Sequence, residues 1–306
     1  MPVIPFLKLI RLPNLLMILL TQVLVKYFLF KPFGIATTLG HLDFALLVVS
    51  MIALAAAGNI INDIHDTVSD GINKPQKMVI GKFLSEKAAW NWFIALNLVG
   101  VGIGFYLSNL VGKSSFVALF ILPSAFLYFY ATQIKGTILV GNLVVSVMVG
   151  MIILMVGIFD LVPAINPQNL ATQKVMFSIL IDYGIFAFLV NFLREMVKDQ
   201  EDIQGDYKAK YNTLPVLLGR RRTNFIIFGI AVLPLSGVLY YIYNYLYVSK
   251  AAMLYALFLV AGPLLYSMVK LAAANSKKDY HHLSLVLKFV LATGILSIGL
   301  FKFVLI

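Results

Sequence analysis

Residues 42–75 read LDFALLVVSMIALAAAGNIINDIHDTVSDGINKP. Between Asp43 and Asp63 no side chain is charged, and about 20 such residues suffice for a helix to cross the hydrocarbon core of a bilayer. The run then ends in Asn59, Asn62, Asp63, Asp66 and Asp70. The three aspartates stand at i, i+3 and i+7, which on a helix sets them along one face. Like charges so placed repel by about 0.2–0.5 kcal/mol per neighbouring pair. Polar groups at the end of a membrane helix are costly unless they line a wet cavity. The alternative is a solvated helix end that turns at Asp70-Gly71.

The same spacing recurs at Asp199, Asp202 and Asp206, each 136 residues after its counterpart. Here the sequence reads REMVKDQEDIQGD over residues 194–206, adding Glu195 and interleaving Arg194 and Lys198. Hard oxygen ligands suit Mg2+ shared with a phosphate group, and neighbouring cations suit the remaining diphosphate oxygens. Two such clusters point to two metal-binding arms that face one anionic substrate. Taken alone, the second also has a lesser reading as a charged surface helix.

Outward from these clusters the chain is apolar. Hydrophobic residues are 61% of the 306 and charged ones 12%, the composition of a polytopic membrane protein. Nine membrane-length stretches are predicted, near 9–30, 42–64, 88–108, 114–133, 138–158, 176–194, 223–247, 251–271 and 284–305. The expected fold is all-α, nine transmembrane helices around a central cavity in one domain spanning 1–306. The first stretch reads as a retained helix, because no small-residue cleavage site follows it. There is no cysteine, which excludes disulfides and thiolate chemistry.

A net charge of +11 raises the question of nucleic acid, but its distribution is topological. In the nine-span scheme 18 of the 24 Lys and Arg residues fall on one side, seven of them between the sixth and seventh spans. The positive-inside rule then sets the N-terminus and both acidic clusters on the cytoplasmic side of the cytoplasmic membrane. Nine of the 13 acids lie in or beside two segments, 65–87 and 195–222, which are expected to be long polar loops. No nucleic-acid partner and no obligate protein partner are expected.

At these motifs the chain resembles the UbiA superfamily of intramembrane prenyltransferases. The N-D-x-x-D-x-x-x-D motif of that family is matched by Asn62, Asp63, Asp66 and Asp70. Its D-x-x-D-x-x-x-D motif is matched by Asp199, Asp202 and Asp206. Further matches are Arg11 and Asn14, and Lys135 followed by Gly141-Asn142. Within the family, residues 194–206 followed by Thr213-Leu214-Pro215, together with Asn73-Lys74-Pro75, are most like the branch that makes digeranylgeranylglyceryl phosphate. Gln76-Lys77-Met78 departs from it, standing where Arg-Pro is usual. Lys77 keeps the charge but not the bidentate fork.

The resemblance implies a reaction. The six aspartates would hold Mg2+ on the diphosphate of an allylic prenyl donor, with geranylgeranyl the expected group. Lys135, Lys198 and Arg194 would help stabilise the leaving diphosphate. Asn59, Asn62, Lys77 and Arg11 are the expected substrate-binding residues. Tyr128 and Tyr130 have two readings, a π face for the allylic cation or rings of the interfacial belt. The acceptor is expected to be a membrane-associated prenylglycerol phosphate. Two other readings stand beside it: an aromatic ring acceptor, as in quinone biosynthesis, and a divalent-cation transporter.

Other residues are assigned bland roles. Arg220, Arg221 and Arg222 read as a basic anchor rather than a phosphate patch. His65 reads as a spacer, His281-His282 as solvated loop residues, Trp90 and Trp92 as interface aromatics, and Gly102 and Gly104 as helix-packing positions.

Overall fold

The structure is a computed structural model that describes residues 3–76 and 78–301. Among these residues nine helices are long and apolar enough to cross a membrane. They are α1 (Leu12–Phe33), α2 (His41–His65), α3 (Glu86–Leu110), α4 (Ser114–Ile134), α5 (Val140–Ala164), α6 (Leu170–Lys208), α7 (Leu214–Leu246), α8 (Lys250–Ala273) and α9 (Lys277–Leu300). Each overlaps one of the nine predicted stretches. Helices are the natural outcome, since within lipid every backbone N–H and C=O must find its partner inside the protein.

Two large apolar cores and two smaller ones hold the bundle, one of the smaller packing Leu9, Ile60, Ile61, Ile64, Val79, Ile80 and Leu84 beside the first acidic motif. One large core gathers Leu29, Phe30, Leu47, Leu107, Phe120, Val156 and Phe159 from α1–α5, with Leu180 of α6. The other gathers Val190, Leu193 and Val197 of α6 with Ile227, Leu264, Leu283 and Leu287 of α7–α9. α6 is thus the spine shared by both. Where α3 approaches α4, Gly104 has no room for a side chain, because a Cβ there would lie 2.3 Å from the Phe120 ring. Gly102 instead faces open space, so the expected packing role holds for Gly104 and not for its neighbour.

At the bundle end away from the acidic motifs, Lys26 donates to Asp160 at 2.9 Å and to the Leu39 carbonyl at 2.7 Å. Leu39 N–H donates to Asp160 in turn. This buried pair ties α1, α5 and the entry to α2.

The polar segments differ from expectation. Residues 195–208 are not a loop but the last turns of α6, leaving only residues 209–213 before α7. At 39 residues α6 is about 58 Å long, roughly twice the hydrocarbon thickness. Its buried positions Met196, Val197, Gln200 and Glu201 keep a helical period that docks the extension on its neighbours. Residues 65–87 hold a further short helix, Thr67–Asn73. His281 and His282 also lie on a helix, the first turns of α9, where His281 Nδ1 is 3.0 Å from Glu201 and His282 Nε2 is 2.9 Å from the Tyr266 hydroxyl.

Candidate active site

The first acidic motif is jointed. α2 ends at His65, and Asp66 (φ −87°, ψ 2°) sits in the sparsely populated bridge region. The chain restarts as the helix Thr67–Asn73, whose first turn carries Asp70. The second motif is an unbroken rod. Despite this difference, the middle aspartate of each motif has the same surroundings. Lys135 ion-pairs with Asp66 Oδ2, and Lys74 pairs with Asp202 Oδ2 at 2.5 Å. In both residues the other oxygen, Oδ1, is buried with no hydrogen-bond partner.

Local chain geometry explains how each lysine gets there. The last turn of α4, Tyr130–Ile134, is a π-helix, and Lys135 N–H bonds back to the Tyr130 carbonyl at 2.9 Å. Such a turn re-aims the side chain that follows it, and Lys135 also reaches Asn62 Oδ1 at 2.7 Å. Lys74 is carried by the short helix after the Asp66 joint. Burial alone would lower its pKa, yet attraction to Asp202 and the hydrogen bond between them outweigh that and hold the ammonium above its usual value. Asp70 is shifted up, first by burial and then by the nearby Asp66 charge.

The two motifs are fastened to each other by Asn73. Its Nδ2 donates to the Asp202 carbonyl at 2.9 Å, and its Oδ1 accepts from Gly205 N–H at 3.1 Å. Lys277 at the start of α9 donates to the Asn73 carbonyl at 2.7 Å. Glycine at 205 is required by this approach, because a Cβ would fall 2.1 Å from Asn73 Nδ2 and 2.8 Å from the Ser69 carbonyl.

The flanking carboxylates have partners of their own. Arg11 donates to Asp63 at 2.9 Å from a left-handed backbone (φ 54°, ψ 54°) that separates the helix Val3–Leu9 from α1. That conformation costs about 1–3 kcal/mol in a non-glycine residue. Asn142 of α5 donates to Asp199 at 2.7 Å, and Thr213 to Asp206 at 3.2 Å. Glu195 accepts from Arg194 at 3.0 Å and from Lys198 at 2.9 Å. Asn59 holds the Ile10 carbonyl at 2.9 Å, fixing the entry to α1.

The structure therefore brings Asp63, Asp66, Asp70, Asp199, Asp202, Asp206, Asn62, Lys135, Lys198, Arg194 and Arg11 into one region at one end of the bundle. Tyr130 is half-buried and within Coulombic range of Asp66, Glu195 and Asp199. Tyr128 is 41% exposed and lies against Phe93 and Phe129, outside that group. Lys77 lies outside the described residues. Arg220 is engaged elsewhere, donating to the Asn275 carbonyl and lying over the Tyr280 ring at 5.1 Å. Sequence reasoning assigned no site role to Lys74 or Asn73, although the Asn73-Lys74-Pro75 triplet was visible. His65, read as a spacer, sets its ring edge to face with Trp90 at 6.1 Å.

Chemically, seven carboxylates (the six aspartates and Glu195) face five cations (Arg11, Lys74, Lys135, Arg194, Lys198). The excess of negative charge and the two bare carboxylate oxygens favour added cations. Among the described residues no three acidic or imidazole side chains converge into a ligand shell. Any metal held there completes its coordination with oxygens from outside the chain, as Mg2+ does when it keeps waters and phosphate ligands.

A profile described as the UbiA prenyltransferase family matches residues 22–301. The chain belongs to the UbiA prenyltransferase family. The prenyltransferase is 28% identical over 293 residues to digeranylgeranylglyceryl phosphate synthase of Methanothermobacter thermautotrophicus, covering 94% of each chain. It is 30% identical over 254 residues to the synthase of the same name from Thermococcus kodakarensis, covering 82% of each. Its fold is similar to that of a solved digeranylgeranylglyceryl phosphate synthase (TM-score 0.66, 20% identity, covering 96% of this chain and 98% of that one). It is also similar to a UbiA homologue from Archaeoglobus fulgidus bound to GPP and Mg2+ (TM-score 0.57, 14% identity, covering 96% and 99%). As an integral-membrane prenyltransferase the chain is an enzyme, which sets aside the reading as a cation transporter.

Proposed function

We propose that this prenyltransferase moves a geranylgeranyl group from its diphosphate onto the hydroxyl of a prenylglycerol phosphate, with Mg2+, at the cytoplasmic face of the cytoplasmic membrane. The matched arrangement of Asp66 and Asp202 carries the reading. Each has one oxygen on a lysine and one buried and bare, and Asn73 clamps the two together. A buried carboxylate oxygen without a partner is costly, so its persistence in both motifs fits a ligand shell waiting for a hard cation. Asp66, Asp202 and the aspartates flanking them would hold the metal. Bound there, Mg2+ neutralises charge on the diphosphate as it departs.

The remaining work falls to the chain itself. Lys135 and Lys74, now paired with Asp66 and Asp202, would supply cationic donors to the diphosphate oxygens. Preorganised cations of this kind act where negative charge grows as the C–O bond breaks. Asn142 and Thr213 fix the rotamers of Asp199 and Asp206, so these carboxylates lose no further entropy on binding. Tyr130, beside the acids, is better placed than Tyr128 to turn a π face to the developing allylic cation.

The acceptor assignment is supported by the relatives named above, which carry the digeranylgeranylglyceryl phosphate synthase name across nearly the whole chain. The cytoplasmic orientation is supported by the uneven distribution of Lys and Arg. The deciding experiment supplies purified protein in detergent with labelled geranylgeranyl diphosphate and either geranylgeranylglyceryl phosphate or 4-hydroxybenzoate, and reads the product mass. The expected product is the diether phosphate. Product from the aromatic acid alone would overturn the reading.

A further inference from the structure

Along α6, Leu193, Val197 and Gln200 stand at i, i+4 and i+7 and so share one helix face. The first two belong to the apolar core with α7–α9. Gln200 continues their stripe and is fully buried, although its side chain is an amide. Its Nε2 donates to Asn224 Oδ1 at 2.8 Å and to the Arg220 carbonyl at 2.9 Å, both on α7. Asn224 is buried in turn. Its Nδ2 donates to the carbonyls of Leu271 and Ala274, each at 3.1 Å, where α8 ends. Tyr280 of α9 donates its hydroxyl to the Ala274 carbonyl at 2.8 Å. One amide on α6 is thereby tied to the three helices behind it.

Gln200 lies between Asp199 and Asp202 in the chain but on another face. At about 100° per residue, the three aspartates of the second motif fall within about 60° of one another, and Gln200 points about 130° from the middle of that arc. Asn73 holds the arm from the acid side through the Asp202 carbonyl and Gly205 N–H. Gln200 holds it from behind. The nearby Glu201–His281 contact is a weaker tie, because its imidazole is half exposed. Stability alone does not account for the buried amide. Its Oε1 has no partner, and a bare buried acceptor costs at least what a hydrogen bond contributes. A leucine or methionine would continue the stripe without that cost.

We propose that Gln200 is a positioning residue: its two bonds to α7 set the rotation of the second acidic arm, so that Asp199 and Asp202 face the first motif. This rests on the reading of those aspartates as metal ligands. The required precision is high. A rotation of about 20° moves a group about 6 Å from the helix axis by about 2 Å, and a displacement of about 1 Å at a reacting site already costs on the order of 100-fold in rate.

The competing account is that the amides only staple α6 to α7–α9, and Gln200→Met and Tyr280→Phe separate the two. The first removes both bonds that hold the arm, together with the bare Oε1, and keeps the stripe filled. The second removes the hydroxyl bond to the Ala274 carbonyl and leaves both Gln200 bonds in place. Mn2+ affinity is read by EPR on protein in detergent with an unreactive thiolo analogue of the prenyl diphosphate, and thermal stability is read alongside. Gln200→Met should weaken Mn2+ binding by roughly ten- to thirtyfold, the equivalent of two hydrogen bonds, with Tm close to that of the unmodified protein. Saturating Mg2+ selects the productive rotation, so most of kcat should return there. Tyr280→Phe should lower Tm and keep Mn2+ affinity within twofold. Gln200→Asn, which keeps an amide but not its reach, should behave as Gln200→Met does.

Unchanged Mn2+ affinity in either folded variant of Gln200 overturns the assignment. So does an equal loss of affinity in Tyr280→Phe. If the unmodified protein binds no Mn2+, the metal reading of the aspartates falls, a failure visible before any variant is made.

Discussion

Gly205→Ala tests whether the spacing of the two acidic arms governs turnover. The added methyl would lie 2.1 Å from Asn73 Nδ2, 2.6 Å from Asn73 Cγ and 2.8 Å from the Ser69 carbonyl. The Asn73 side chain must then leave, breaking its bonds to the Asp202 carbonyl and Gly205 N–H, at about 1 kcal/mol each. Displacing the Ser69 backbone adds about 1–3 kcal/mol of overpacking. Alanine returns about 1 kcal/mol through its better helix propensity, leaving a net cost of about 2–4 kcal/mol. The short helix Thr67–Asn73 contributes no side chain to the apolar cores, so the cost appears as a wider gap between Asp66 and Asp202. A displacement of about 1 Å at a reacting site costs on the order of 100-fold in rate. Turnover with labelled prenyl diphosphate should therefore fall by about that factor while the protein stays folded in detergent. Gly102→Ala, with open space around the new methyl, should leave turnover within twofold. If Gly205→Ala turns over like the unmodified protein, the idea that Asn73 sets the arm spacing is wrong.

Other perturbations have defined outcomes. Asp66→Ala and Asp202→Ala should each reduce turnover at least 100-fold with little loss of folded protein, since both residues sit in a polar site; near-normal turnover in either contradicts a metal role. Removing divalent cations with a chelator should stop prenyl transfer, and excess Mg2+ should restore it; activity that persists in the chelator counts against the metal. Asp160→Ala leaves Lys26 buried without its partner and should destabilise the fold by about 3–5 kcal/mol, seen as earlier thermal unfolding. The double change Lys26→Met with Asp160→Leu should recover most of that loss, and no recovery would mean the pair acts through more than its charge. Because the chain lacks cysteine, a single Lys278→Cys can be labelled with an impermeant thiol reagent. Labelling is expected only when the cytoplasmic face is open to the reagent, and labelling from outside intact cells would invert the topology.

The spans were legible because hydrocarbon thickness acts on every residue of a span alike, so apolar runs such as 42–64 need no tertiary information. The acid spacing was equally readable, since i, i+3 and i+7 define one helix face wherever the helix lies. Over residues 195–208 charge density masks the helical period, although Met196, Val197 and Gln200 mark a buried stripe. The joint at Asp66 could not be read, because it depends on one residue's φ and ψ rather than on residue type. The Lys74–Asp202 pair joins residues 128 positions apart, and only the fold decides which lysine reaches which acid. The Asn73-Lys74-Pro75 triplet flagged the place without giving its partner.

The clasp between Asn73 and Gly205 also sets a timetable for biosynthesis. The two residues are separated by 132 positions, so at roughly 5–20 residues per second the ribosome needs about 7–26 s to deliver the second after the first. Asp63 has Arg11 available from the outset, but Asp66 waits for Lys135, and Lys74 waits for Asp202. Until Lys135 emerges, Asp66 stands without its partner at the bilayer edge, and a ribosome stalled before residue 202 leaves an insertion intermediate that cannot close its own site.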